Sequence, residues 1–308
     1  MIVTAVASLA AVLLDALLGE PRRFHPLAGF GALAQGLERR LYGPPGLEPL
    51  RRRARGFLAV VLLLLPPAGL AALVPGGAIG LVFDVSVLYL ALGGRSLAEH
   101  ARAVADSLAR ADLEAARGAV ARMVSRDAAV LDETGVARAA VESVLENGND
   151  AVFGALFWYL VAGAPGAVFY RLANTLDAMW GYRDERYRDF GWAAARLDDL
   201  LNFLPARLTA ATYAILGDTR AAWRAWRTQA PAWESPNAGP VMAAGAGSLG
   251  LVLGGPAFYR GAYRQRPWLG TGRAPHGGDI GRAVQLVRLG LGLWLMVFVF
   301  AAVVHGSF

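Results

Sequence analysis

Three acids recur at a spacing of four in the stretch TGVARAAVESVLENGND, residues 134–150: Glu142, Glu146 and Asp150. On an α-helix that spacing sets them on one face within an arc of roughly 80°. Ser143 and Asn147 border the arc. Such a face, leading into an apolar stretch, suits a divalent cation. Magnesium in particular prefers one or two carboxylates together with substrate phosphate oxygens. The same pattern would equally serve a solvated face or arginine pairing, with Arg138 four residues before Glu142. A second constellation follows. Asn174 and Asp177 precede GYRDERYRDFGWAAARLDDLLNFLPARLTA, which opens at Gly181. There Arg183, Arg186 and Arg188 interleave with Asp184, Glu185 and Asp189, and with Tyr182, Tyr187 and Trp192. Arginine forks bind phosphate and aromatic faces stack on flat rings, although a mixed-charge loop also pairs with itself. Arg196, Asp199 and Asn202 share one face of the next helix beside Asp198, and Arg207 follows Pro205.

Further polar positions stand apart from these two. His25 sits in DALLGEPRRFHP, where it is a structural residue or an acid–base group. Asp84 lies inside an apolar stretch, where a carboxylate is costly. Either it serves a functional site or it pairs with an arginine such as Arg95. Arg273, Asp279 and Arg282 form a third cluster.

The composition says what must position these groups. Of 308 residues 56% are hydrophobic and 18% charged, and mean hydropathy is +0.40. Soluble domains carry roughly 25% charged residues, so the chain reads as an integral membrane protein. Cysteine is absent, which excludes disulfides, thiolate nucleophiles, Cys-ligated zinc and iron–sulfur clusters. Lysine is absent too, so all 30 cations are arginine, and both Schiff-base chemistry and a Walker-type phosphate loop are excluded. A net charge of +6 suits anionic ligands or an anionic membrane face.

A bilayer core of about 30 Å takes about 20 apolar helical residues. Four stretches qualify: Ile2 to Leu18, Phe57 to Val74 with Pro66 and Pro67 inside it, Ile79 to Gly94, and Leu289 to Val304. Residues 151–170 and 235–259 are interrupted by Gly163-Ala164-Pro165-Gly166 and Gly254-Gly255-Pro256. Proline and glycine there favour turns, so 151–170 reads as a hairpin that dips into the membrane or packs on protein and 235–259 as a non-crossing or re-entrant segment, with a six-span arrangement as the competing reading. Arginine-rich loops favour the cytoplasmic side, which places residues 19–56 inside and both termini outside. Residues 95–123 carry apolar positions three and four apart, with Asp112 as an N-cap. The expected fold is an all-α polytopic membrane protein in three parts: residues 1–94 with three spans and a basic loop, a helical cytoplasmic region over 95–288, and a C-terminal span over 289–308.

In its wording this sequence resembles the cobinamide synthase family of cobalamin biosynthesis, the CbiB/CobD proteins or adenosylcobinamide-phosphate synthases. The most specific part is RAAVESVLEN together with NTLDAMWGYRDERYRDFGWAAARLDDLLNFLPARLTA, within 136–210. DALLGEPRRFHP, SPNAG from Ser235 to Gly239 and GR…DIGRA support it. The chain departs from the family pattern at Glu20, where Asp is usual, and at Ser125 before Arg126-Asp127. Ala151 and Ala155 depart likewise. The resemblance implies a ligase that joins adenosylcobyric acid to aminopropanol or its O-phosphate through an amide bond, helped by magnesium and ATP. It implies an inner-membrane protein whose active site faces the cytoplasm, with no nucleic-acid partner. In those terms Glu142, Glu146 and Asp150 hold magnesium. Asp198 and Asp199, with His25, act as further ligands or as the base. Arg183, Arg186, Arg196 and Arg207 hold phosphate and propionate, and Tyr182, Tyr187 and Trp192 face the corrin or nucleotide. Asn174, Asp177 and Asn202 complete the substrate-binding set. The rival readings are a corrinoid transporter and an AmpE-like sensor or assembly protein.

Overall fold

The computed structural model describes residues 1–21, 25–259 and 261–306, with only the backbone of His305 and Gly306. Arg22, Arg23 and Phe24 of the DALLGEPRRFHP motif lie outside the described residues. The described residues form, in chain order, the α-helices α1 (Ile2–Leu18), α2 (Pro26–Leu41), α3 (Pro49–Ala72), α4 (Gly77–Ala91), α5 (Gly94–Ala109), α6 (Leu113–Val120), α7 (Glu133–Gly148), α8 (Gly154–Trp180), α9 (Tyr187–Phe190), α10 (Trp192–Leu216), α11 (Thr219–Gln229), α12 (Ala238–Leu249) and α13 (Gly277–Gly306). Among the described residues, four helical stretches are long and apolar enough to cross a membrane: Pro49–Ala72, Gly77–Ala109, Glu133–Trp180 and Gly277–Val304. The all-α polytopic class therefore holds.

The membership of that set differs from the expected one. α1 has 17 residues, roughly 26 Å of helix, at the short end of the spanning range. The stretch 133–180 takes its place by length, but it is not one rod. Ala162 and Gly163 leave helical geometry, Gly163 at φ 62°, a conformation that costs glycine little. A Cβ added to Gly154 would overlap the Tyr170 hydroxyl, and one on Gly166 would overlap the Trp158 carbonyl. In a straight helix residues 154 and 170 would stand about 24 Å apart. The two close pairs are symmetric about residue 162, so α8 is a helical hairpin that turns there, with Pro165 in the first turn of its second arm. The first arm is only about 12 Å long and cannot cross alone. The expected hairpin over 151–170 is thus present.

The chain divides into two compact units. Residues 1–93, 154–202 and 298–308 form the first, and residues 94–153 and 203–297 the second. In the first unit α3 packs on α8, and α4 packs on α1 and α8. The intramembrane Asp84 of α4 accepts a hydrogen bond from the Tyr159 hydroxyl (2.9 Å). Arg95 instead pairs with Glu99 one turn along α5 (2.6 Å). The second unit is cored by α7 and α12, with α5, α6, α11 and α13 around them. Asp112 caps α6 as its position suggests, its Oδ1 accepting from the Ala115 amide (3.0 Å). α12, within the 235–259 stretch, is apolar on all sides and buried almost throughout, as a helix without a wet face must be. At 12 residues, roughly 18 Å, it crosses nothing.

Strands are the feature the sequence did not announce. β1 (Val252–Gly254) pairs antiparallel with β4 (Trp268–Gly270), and β2 (Ala257–Tyr259) pairs antiparallel with β3 (Ala262–Arg264). Each has three residues, too few to show an alternation of faces.

Candidate functional site

The first unit gathers much of the 174–202 motif at one end. Asn174 and Asp177 lie on the second arm of α8, and Asp198, Asp199 and Asn202 on the first turns of α10. Asp198 is held on both oxygens. Oδ1 accepts from Asn174 Nδ2 (3.2 Å) and Oδ2 from Asn202 Nδ2 (3.0 Å). Asn202 is itself buried and accepts from the Tyr170 hydroxyl through Oδ1 (2.8 Å). Asp177 stands near enough to Asp198 and Asp199 to feel both charges. Asp199 is half-buried, and burial raises its pKa above the ordinary carboxylate value. The charges of Arg196 and Arg183 oppose that rise. Arg196 Nη1 stands 3.4 Å from Asp199 Oδ2.

The arginine–tyrosine loop that follows α8 is fastened to the basic end of the same unit. Glu38 of α2, buried, accepts from Trp180 Nε1 (3.1 Å) and from Arg186 Nε and Nη2 (3.1 and 2.6 Å). Arg53, in the Arg51-Arg52-Arg53 run at the start of α3, donates to the buried Asp189 (2.9 Å). Arg186 also lies over the rings of Tyr42 (5.3 Å) and Tyr187 (5.4 Å), and Arg53 over Trp192 (5.8 Å). Arg186, expected on substrate, is therefore the clamp that holds the loop. Tyr182 and Arg183 are exposed, and Trp192 is 42% exposed. His25 caps α2, its Nδ1 accepting from the Leu27 amide (3.2 Å).

The second unit answers differently. Glu142 is 2% exposed and both its oxygens are occupied. Oε1 accepts from the Gly254 amide (2.8 Å). Oε2 takes Arg126 Nη2 and Arg266 Nη2, the latter at 3.2 Å. Burial would lower the Arg126 pKa, but the Glu142 carboxylate more than restores it, and the net direction is upward. Arg266 is locked further by the Gly255 carbonyl (3.0 Å) and the Tyr259 hydroxyl (3.0 Å), and it lies over Trp233 (5.0 Å). Regular helix also ends at Gly148, and a π-helical turn runs from Asn149 to Phe153. Asp150 lies inside that turn. Asp150 accepts instead from Asn149 Nδ2 (2.9 Å), and Glu146 is half-buried.

Magnesium fails a test of fit on that face. Among the described residues no three acidic or histidine side chains converge closely enough to hold a metal ion, and Glu142 is spent on two guanidinium groups. Arginine pairing, the competing reading of the spacing, is what Glu142 does, with Arg126 and Arg266 in place of Arg138. Arg207 belongs to the second unit as well, donating to the Phe203 and Pro236 carbonyls and to Asn237 Oδ1 (2.7, 3.2 and 3.0 Å). The third cluster closes on itself: Asp279, fully buried, accepts from Arg273 Nη1 and Nη2 (2.6 and 2.7 Å) and from Arg282 Nη1 (2.7 Å).

Sequence reasoning missed Glu38, Tyr170, Tyr259 and Arg266 as partners. Only Arg126 left a signal, in the charged pair Arg126-Asp127. Asp127 turns out to strap the β2–β3 hairpin, its Oδ2 accepting from the Gly261 amide (2.7 Å).

Similarity to known proteins agrees with the wording of the motifs. The family model described as CobD/Cbib protein matches residues 8–287. A relative in Chromobacterium violaceum named Cobalamin biosynthesis protein CobD is 60% identical over 96% of this chain and 96% of its own length. One of the same name in Stutzerimonas stutzeri is 61% identical over 94% and 95%. Another in Mycobacterium tuberculosis is 45% identical over 92% and 91%. No solved structure matches. By the span of that match and the identity to these relatives, the chain belongs to the CobD/Cbib family.

Proposed function

We propose that the chain acts in cobalamin biosynthesis as the synthase that joins the free propionate of adenosylcobyric acid to aminopropanol, or to its O-phosphate, as an amide. The observation that carries this reading is the grouping of Asn174, Asp177, Asp198, Asp199 and Asn202 beside Arg183 and Arg196, next to a loop of exposed aromatic rings.

The chemistry asks for those groups. A carboxylate is a poor electrophile, so a propionate oxygen first takes the terminal phosphoryl group of ATP, and ADP leaves. The amine then attacks the acyl carbon, inorganic phosphate leaves, and one proton must go to a base. Asp199 fits that base, because burial makes it hold a proton more tightly than an exposed aspartate does. Arg183 and Arg196 neutralise phosphate and propionate oxygens. Asp198, fixed by two amides, orients the amine. Tyr182, Tyr187 and Trp192 offer faces to the corrin or the nucleotide. Magnesium enters with the nucleotide phosphates as part of the substrate.

The test is direct. Purified protein in detergent, given adenosylcobyric acid, either form of the amino alcohol, ATP and magnesium, is expected to yield the amide by mass together with one ADP per product. Absence of that product from folded protein, or its full retention in Asp199→Asn, overturns the reading. Corrinoid uptake into proteoliposomes without amide formation would establish the transporter instead.

A further inference from the structure

The second unit carries a helix whose exposed face has no role in the amide chemistry. α11 reads TRAAWRAWRTQ, with no acid in it. Asp218 caps it, Oδ1 accepting from the Ala221 amide (2.9 Å). Ala222 and Ala225 are buried. Arg220, Trp223, Arg224 and Arg227 fall at i, i+3, i+4 and i+7, on the opposite, exposed face. Trp223 is 50% exposed, with Trp226 against its edge (5.2 Å) and Arg227 over its ring (6.0 Å).

The helix before it gives the depth. Along α10, Leu204, Leu208 and Ile215 form one bare apolar stripe. Thr212 accepts from Trp294 Nε1 (2.9 Å), and Gly290 packs beside Thr212. Those contacts set the Thr212 turn of α10 beside the apolar half of α13, a helix long and apolar enough to cross a membrane. α10 then climbs toward the charged half of α13. The Tyr213 carbonyl accepts from Ser248, the Asp218 amide donates to the Ser248 carbonyl (3.2 Å), and the neighbouring Leu249 carbonyl accepts from Arg282 (2.9 Å). α11 therefore starts where the apolar stretch gives way to charge, at the water boundary. Tryptophan prefers that level, and arginine there gains from anionic lipid.

We propose that α11 lies on the bilayer surface and binds anionic phospholipid headgroups through Arg220, Arg224 and Arg227, with Trp223 seated at the headgroup level. The absence of cysteine makes a single introduced thiol a unique label. A fluorophore on T228C, exposed at the edge of that face beside Arg224 and Arg227, is compared with one on E114C of α6, in nanodiscs that contain a headgroup-nitroxide lipid. In discs with phosphatidylglycerol, T228C is expected to be quenched several-fold more than E114C. Each arginine changed to serine should weaken that headgroup contact about fivefold, with the thermal unfolding midpoint unchanged. Quenching at the E114C level overturns the proposal. So does equal quenching in pure phosphatidylcholine, which removes the charge recognition. Shielding from a soluble quencher that appears only in native membranes assigns the face to a protein partner and also overturns it.

Discussion

The two acidic groups of this protein look alike in sequence and differ in kind. In the second unit Glu142 sits between two arginines, its charge cancelled, its oxygens filled, its surroundings dry. In the first unit Asp198 is held by amides that bring no charge, and Asp199 stays partly open, with Arg196 (3.4 Å) and Arg183 acting on it from the side. A carboxylate locked by two guanidinium groups fixes a fold. One held by neutral amides beside a water-accessible arginine keeps its charge available to a ligand. The difference lies in the partners, which are 16 and 124 residues away from Glu142 in the chain, and no helix-face count reveals them.

The largest effect expected from this contrast is on turnover. Asp199→Asn keeps the shape and removes the base. It should lower kcat for amide formation by roughly 10²–10⁴-fold, with KM for the corrinoid and the thermal midpoint close to wild type. Single-turnover mass analysis beside a melting curve in detergent checks both halves. A collapse of the melting curve instead would place Asp199 with Glu142 as a structural acid.

Much of the molecule was legible before the structure. The all-α membrane class followed from composition, the hairpin from Gly163 through Gly166, and the cap of α6 from Asp112, because each depends on a few adjacent residues. The arginine–tyrosine loop was legible as an assembly of charges but not in its roles. Whether Arg186 holds a substrate or the loop depends on Glu38, 148 residues earlier. The three-residue strands fell below any periodic signal. The pairing of Glu142 was not legible, because its counter-charges come from Arg126 and from Arg266 after the short strands, which nothing nearby marks.

The complementary prediction strikes the other acid. Glu142→Ala leaves Arg126 and Arg266 buried without their counter-ion, a loss of about 3–5 kcal/mol. The melting midpoint should fall sharply and the yield of folded protein with it. The double change Glu142→Met with Arg126→Met should be less damaging than Glu142→Met alone, since it removes one stranded charge together with the carboxylate. Were Glu142 a metal ligand, its loss would instead raise the magnesium concentration needed for activity and leave the melting curve in place.

A smaller effect separates orientation from charge. Asn202→Leu takes away the amide that bridges the Tyr170 hydroxyl and Asp198 Oδ2 (2.8 and 3.0 Å). It should cost about 1–3 kcal/mol of stability, because a buried hydroxyl loses its partner. At the site Asp198 loses the amide that holds its Oδ2, so KM for the amino alcohol should rise more than kcat falls. Asn202→Asp, which keeps an acceptor for Tyr170 but adds a charge facing Asp198, should restore little of the KM. Steady-state kinetics on the two variants, each normalised to folded protein, decide the point.

The finest test concerns Asp199 and its arginines. Burial pushes its pKa upward and Arg196 and Arg183 pull it back. The base form is the deprotonated one, so kcat/KM should fall as pH drops through this pKa, and that acid limb should lie above the usual aspartate value of about 3.9. Arg196→Gln removes one restraining charge, leaves burial in place and so moves the limb to higher pH. The same sign governs stability. A carboxylate whose folded pKa exceeds its unfolded one costs stability as pH rises between the two, and Arg196→Gln widens that window. Glu142 offers the control. Arg126→Gln, at the other acid, should lower stability across the neutral range and leave the acid limb where it was. A limb that moves with Arg126 and not with Arg196 would reverse the assignment of the two acids.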